Sequence, residues 1–143
     1  MDKAFKIQVK IITPEGITHQ AQADALTAPA VKGTVSILPH HIPFFTRLDN
    51  GEIKIRLGDK VDYFAITGGF MDVSSDGVVT VLTDSAKRSE EIDEKAAEKA
   101  RQEAKKLLSE REKLSEKEFA IAEASLRKSI LELKISQRRK KVS

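Results

Sequence analysis

Residues 5–12, Phe-Lys-Ile-Gln-Val-Lys-Ile-Ile, alternate apolar and polar side chains at a period of two. That is the pattern of a strand with one buried face. Short apolar segments of this kind recur as far as Thr83, each closed by turn-forming residues. Thr13-Pro14-Glu15-Gly16 ends the first, with Pro fixing φ and Gly free to take a positive one. An extended stretch from Ile17 to Ala28 is expected to stop before Pro29, which has no N–H for a ladder. Gly33 to Leu38 and Ile42 to Leu48 flank a kink at Pro39 and Pro43. Asp49-Asn50-Gly51 predicts a hairpin turn. Glu52 to Leu57 and Val61 to Ile66 pair across Gly58-Asp59-Lys60. Gly68-Gly69 is expected to break the chain between two strands, at a sheet bend where backbones pack closely, and Phe70 to Val73 and Val78 to Thr83 flank the turn Ser74-Ser75-Asp76-Gly77. Strands at this spacing, with no helix between them, predict an antiparallel sandwich or barrel.

The period changes at Ser89. From there to Ser143 the chain holds no Gly and no Pro, and Ala, Leu, Glu, Lys and Arg dominate, which favours helix. Ser89 reads as an N-cap followed by the first-turn acids Glu90 and Glu91. Ile92, Ala96, Ala100, Ala104 and Leu107 then recur on one face. Ser115 and Glu118 form a capping box, in which each side chain satisfies an orphan N–H, so a second helix starts at 116. Its apolar positions fall in two stripes: Phe119, Ala122, Leu126, Ile130 and Leu133, and Ala120, Ala124, Leu131 and Ile135. The short linker, Arg111 to Leu114, predicts an antiparallel hairpin of helices about 20 residues long. The fold class is therefore an all-β N-terminal sandwich over residues 1–88 followed by an α-helical hairpin over 89–143, a two-domain β plus α chain. An alanine buries one methyl, ~0.8 kcal/mol, so the hairpin should be weakly held. The second helix carries more apolar surface than one alanine stripe covers, and the excess needs another partner.

Charge adds to this picture at the C-terminus. The chain is +3 overall. Residues 1–88 are balanced, and the excess collects at Arg138, Arg139, Lys140 and Lys141. Without interleaved aromatics this cluster does not suit stacking on nucleic acid. No apolar run approaches the ~18 residues of a membrane helix, and the N-terminus lacks the apolar core of a signal peptide. There are no cysteines, which removes disulfide and thiolate chemistry. His40-His41 with His19 make a poor metal site: no cysteine accompanies them, and adjacent strand residues face opposite ways. No serine sits in a nucleophile elbow, and Gly68-Gly69 lacks the spaced glycines and lysine of a phosphate loop. No catalytic or metal residues are predicted.

Three segments carry a resemblance. Gly33-Thr34-Val35-Ser36-Ile37-Leu38-Pro39-His40-His41-Ile42-Pro43, then Gly68-Gly69-Phe70-Met71-Asp72-Val73, then Thr80-Val81-Leu82-Thr83-Asp84-Ser85-Ala86, followed directly by a charged helical hairpin, resemble the epsilon subunits of rotary F-type ATP synthases over essentially the whole chain. The resemblance implies a sandwich of about ten strands and a two-helix domain. It implies a non-catalytic rotor-stalk protein whose sandwich clamps the gamma subunit and sits on the ring of c subunits. Gly33 and Thr34 would face that ring. His41, Ile42, Pro43 and Thr46, with Thr13, would face gamma. Thr34 stands where many relatives have an acid. The helices would be a mobile regulatory domain that extends along gamma and inhibits ATP hydrolysis. Leu126, Arg127, Lys128, Lys134, Arg138 and Arg139 would meet the alpha and beta catalytic subunits. The site would be the cytoplasmic face of the cell membrane, reached through the complex.

Some relatives bind ATP through I/L-D-x-x-R-A at the start of the first helix. Here Ile92, Asp93 and Ala97 match, but Ala96 replaces the arginine and supplies no planar fork of donors. The expectation is no cofactor, with ATP a weak ligand at most. The competing reading is a stand-alone binding module whose basic hairpin contacts nucleic acid or an anionic membrane.

Overall fold

The computed structural model describes residues 5–142, with side chains from Phe5 to Arg138. The chain divides into two compact units between Arg88 and Ser89. In the first, eight strands form: β1 (Ile7–Thr13), β2 (Gly16–Ala23), β3 (Ala25–Ala30), β4 (Gly33–Ile37), β5 (Phe44–Leu57), β6 (Lys60–Val73), β7 (Val78–Leu82) and β8 (Ala86–Arg88). They hydrogen-bond in the order β2-β1-β7-β6-β5-β3-β4, with β8 added to β6. Pairing is antiparallel except between β1 and β7. The period-two pattern of β1 is literal, with Ile7, Val9, Ile11 and Thr13 buried. Ile7, Val9 and Ile11 join Leu26, Ile37, Ile53, Phe64, Met71 and others in one core.

Three sequence expectations are corrected here. Asp49-Asn50-Gly51 is not a hairpin turn, because β5 runs through it and Gly51 pairs with Ile66. Gly51 serves packing instead: a Cβ there would lie 2.8 Å from the Pro29 ring. Gly68-Gly69 likewise lies inside β6, at positive φ. The pair does not break the strand; Gly69 instead lets the Leu82 backbone approach closely, as the sequence suggested. The two long strands carry one hydrogen-bonded sheet around into a sandwich, so fewer and longer strands form than expected. Thirdly, the stretch from Ile17 splits at Asp24 and continues past Pro29, which pairs with Thr34 of β4. On its β5 side the register breaks between Thr27 and Ala30, so the missing N–H removes no regular ladder bond. Asp24 itself joins distant segments, accepting from Lys6 Nζ at 2.5 Å and Gly58 N at 2.7 Å.

The second unit holds α1 (Glu94–Ser109) and α2 (Glu116–Val142), joined by a 3-10 turn at Arg111–Lys113. Ser115 and Glu118 make the reciprocal capping box, at 2.9 and 3.1 Å. The first cap differs from expectation. Ser89–Glu91 form a separate 3-10 turn, and Asp93 caps α1, its Oδ1 accepting from Lys95 N and Ala96 N. The helices are unequal, 16 and 27 residues, and so ~24 and ~40 Å long. The predicted stripe keeps Ile92, just before α1, and Ala104 buried, while Ala97 takes the buried place expected of Ala96, and Leu107 is exposed. On α2, Ala122, Ser129, Glu132, Ile135 and Ser136 are buried. Ile121 and Ile130 are 60% and 48% exposed, so apolar surface is left over on α2.

Candidate docking surface

Pairing across the sandwich aligns one row of outward side chains. Ile17 pairs with Ile12, Ile12 with Leu82, and Leu82 with Phe70. Partnered residues project to the same face, so the row is continuous over β2, β1, β7 and β6. A bulge between Ile11 and Ile12 sets its outer end: Ile11 pairs with His19 and Ile12 with Ile17, passing over Thr18. The extra residue turns Ile17 outward while His19 keeps the inward side. Phe45 of β5 extends the row by stacking on Phe70, with centroids 5.7 Å apart and planes within 15°. Ile17, Phe45, Phe70 and Leu82 are between 41% and 63% exposed, large apolar groups assembled where the core has no use for them.

The sequence-predicted residues are distributed around this row. Thr13 stands at its edge, in a shallow groove with Ile12, Pro14, Phe70 and Leu82. It is buried, and its Oγ1 accepts from Glu15 N at 3.3 Å. Gly33 and Thr34 line a second groove with Phe44, Phe45 and Thr46. Thr46 pairs with the buried Met71, so it lies on the opposite face of β5 from Phe45 and is half-buried. His41 lines a third cavity with Phe5, Leu38 and His40, and its ring meets Phe44 edge-on at 5.8 Å. Ile42 is 73% exposed, and Pro43 beside it is exposed. His40 takes φ 68°, rare without glycine, and packs edge-on against Phe5 at 4.4 Å. The Phe70–Phe45 stack links the first groove to the second on the outward face, while His41 meets the second groove through Phe44, on the inward side of β5. His19, on Phe64, stands apart from it.

Sequence reasoning missed Phe45, Phe70, Leu82, Ile12 and Ile17. A signal was present. In an alternating strand Phe44 and Phe45 cannot both face the core, nor can Phe70 and Met71. The apolar partners that lie outward were therefore candidates for a contact surface.

On the helical unit, Arg127, Lys128, Lys134 and Arg138 are exposed, and Leu126 is half-buried. Arg139 falls outside the described side chains. At the start of α1 the Asp93 carboxylate is engaged as the cap. Ala97 is buried, and Ile92 is 9% exposed. Arg101, one turn further, pairs with Glu98 through Nε at 3.0 Å and again through Nη2. That contact holds the Glu98 carboxyl below its ordinary range. Among the described residues no helix is long and apolar enough to cross a membrane.

Two family models match the two units. Residues 6–89 match the ATP synthase delta/epsilon chain β-sandwich domain, and residues 90–137 match its long α-helix domain. The ATP synthase epsilon chain of Dehalococcoides mccartyi strain BAV1 is 37% identical over 136 residues, 95% of this chain and 96% of the relative. That of Herpetosiphon aurantiacus is 39% identical over 135 residues, 94% and 96% of the two chains. Among solved structures, a chain of the Euglena gracilis mitochondrial ATP synthase OSCP/F1/c-ring assembly is similar, with TM-score 0.73 and 26% identity over 93% of this chain and 81% of that one. A chain of the Tetrahymena thermophila mitochondrial ATP synthase central stalk and c-ring shares the fold, with TM-score 0.56 at 19% identity. With both domains matched in order across nearly its whole length, the chain belongs to the ATP synthase delta/epsilon chain family.

Proposed function

We propose that this chain is a non-catalytic central-stalk subunit of an F-type ATP synthase, that its sandwich couples the gamma subunit to the ring of c subunits, and that its helical unit restrains ATP hydrolysis. The observation that carries the docking part is the outward row Ile17–Ile12–Leu82–Phe70 with Phe45 stacked on it. A free monomer gains nothing from such a row, whereas a partner that covers it removes several large apolar side chains from water. The row leads to Thr13 and, through Phe45, toward the Gly33–Thr34 hairpin. One face can therefore meet gamma while the adjoining loop meets the ring. Thr34 brings no charge to that loop, so the ring contact would rest on shape and backbone.

For the helices, the exposed basic residues of α2 and its uncovered Ile121 and Ile130 suit an acidic and apolar counterpart, as the alpha and beta catalytic subunits would provide. The chain would then be a peripheral protein at the cytoplasmic face of the cell membrane, held there by the complex. A tagged chain expressed in its native host is expected to co-purify with gamma and the c-ring from detergent-solubilised membranes. Recovery of the chain free of both, with the rest of the enzyme intact, would remove the stalk assignment.

ATP is expected to be no more than a weak ligand. Ala96 is exposed where the ATP-binding relatives carry arginine, Asp93 is committed to capping, and Arg101 to Glu98. A ligand that binds only the native state stabilises it by RT ln(1 + [L]/Kd), about 2.7 kcal/mol at a hundredfold excess. Millimolar ATP should therefore leave the melting temperature of the isolated chain within about 1 °C. A clear rise would show that another side chain has taken over the arginine's role.

A further inference from the structure

The last strand of the sandwich is its shortest. β8 makes three pairings, Arg88 with Phe64, Lys87 with Ala65 and Ala86 with Ile66, and the helical unit begins at the next residue. Side-chain contacts of Arg88 fasten its end. Arg88 Nη2 donates to Asp62 Oδ1 at 2.8 Å, and the guanidinium lies 5.8 Å from the centre of the Phe64 ring. The same ring is met by His19 of β2, at 4.7 Å between centroids. Phe64 is 2% exposed, so a buried ring stands in contact with an imidazole and with the guanidinium that fastens β8. His19 Nε2 is buried with no hydrogen-bond partner among the described residues.

We propose that His19 is a pH-sensitive wedge which, on protonation, loosens β8 from β6 and lengthens the tether of the helical unit. A neutral imidazole fits this site as an aromatic packing group. A second proton would place a donor where no acceptor lies and a positive charge near Arg88, where it competes for the Asp62 carboxylate. The charged groups acting on His19 are Arg88 from β8 and Asp62 and Lys60 from β6; Ile11, its partner on β1, is neutral. Burial first, and the Arg88 charge second, hold the imidazole below its ordinary value of 6.5, against the opposite pull of Asp62. For a base whose folded value is depressed, the cost of folding appears as pH falls below the unfolded value and grows until the folded value is passed. The fastening is thus intact at neutral pH and weakens in the range just below 6.5. Freeing three residues gives the helical unit roughly 10 Å more reach at ~3.3 Å per residue. The inference does not depend on the rotor assignment, since it concerns the isolated chain.

Amide hydrogen exchange of the full chain, followed from about pH 7.5 to about pH 5.5 and corrected for intrinsic rates, tests it. Protection of the β8 amides should fall several-fold across that range, while Val9, Ile53 and Ile66 keep theirs. His19→Phe, aromatic and untitratable, should remove the pH dependence, and His19→Gln serves if that variant misfolds. The imidazole titration of His19, followed by NMR in the unmodified chain, should coincide with the loss of protection. Unchanged β8 protection across the range, the same loss in a folded His19 variant, or a His19 titration at or above its ordinary value would each overturn the proposal.

Discussion

Replacing Gly69 by alanine should unfold the sandwich at a temperature well below that of the parent chain. Gly69 has φ +123°, a region that side chains rarely enter, and a Cβ there would sit 1.9 Å from the Leu82 carbonyl oxygen and 3.0 Å from Thr83 Cα. Both obstacles are backbone, so no rotamer change relieves them. The conformational cost is of order 1–3 kcal/mol, and forcing β7 away adds ~1–3 kcal/mol of overpacking. Against a typical total of ~5–15 kcal/mol this is a large share. At ~4–8 °C per kcal/mol for a unit of this size, the melting temperature should fall by more than about 10 °C. Gly58→Asn is the control. Gly58 also has a positive φ, +61°, but nothing lies within 4 Å of its added Cβ, and asparagine tolerates left-handed geometry. Its melting temperature should change by a few degrees at most. Equal melting of Gly69→Ala and the parent chain would show that β6 and β7 are not packed as described.

Removing residues 115–143 should raise ATP hydrolysis by the assembled enzyme several-fold while leaving assembly intact. The deletion takes away all of α2 and with it the groups assigned to the restraint: Leu126, Arg127, Lys128, Lys134, Arg138 and Arg139, together with the exposed Ile121 and Ile130. The sandwich keeps its core, which lies entirely within residues 7–81. Alanine at Arg138, Arg139, Lys140 and Lys141 together should reproduce part of the gain. The electrostatic part should also weaken with salt, as the Debye length falls from ~10 Å at 0.1 M to ~3 Å at 1 M. Steady-state hydrolysis by reconstituted complexes, with subunit content checked by gel, decides it. Unchanged hydrolysis at low and high ATP would leave the helices without an inhibitory role.

What could be read from the sequence followed the strength of each local signal. The β body, the helical hairpin and the Ser115 capping box were legible because they rest on period and on one local pair of hydrogen bonds. Gly51 was misread because an Asn-Gly pair has a strong local meaning, while its actual cause, the Pro29 ring, is distant in sequence. Asp93 displaced Ser89 as the cap because both are good capping residues, and nothing local ranks them. In α1 the sequence reading chose Ala96 where Ala97 is buried, because the two are the same side chain. At the candidate site, the resemblance pointed to Thr13, Gly33, Thr34 and His41, which line grooves beside the row. The apolar row stayed hidden because it is assembled by register across four strands. No segment of the chain contains it.

The stalk reading stands on that row, and equilibrium binding of the full chain to a purified gamma–c-ring assembly tests it most directly. Phe70→Ser with Leu82→Ser alters the outer face of β6 and β7 and leaves the buried Met71 and Val81 in place, so the variant should fold. Central apolar anchors of an interface are each worth about 2 kcal/mol or more, and 1.4 kcal/mol is a factor of ten in Kd. The double variant should bind at least about a hundredfold more weakly, and His41→Ala with Ile42→Ala, at the margin, more weakly by a smaller factor. A folded Phe70→Ser/Leu82→Ser chain that binds as tightly as the parent would contradict the account.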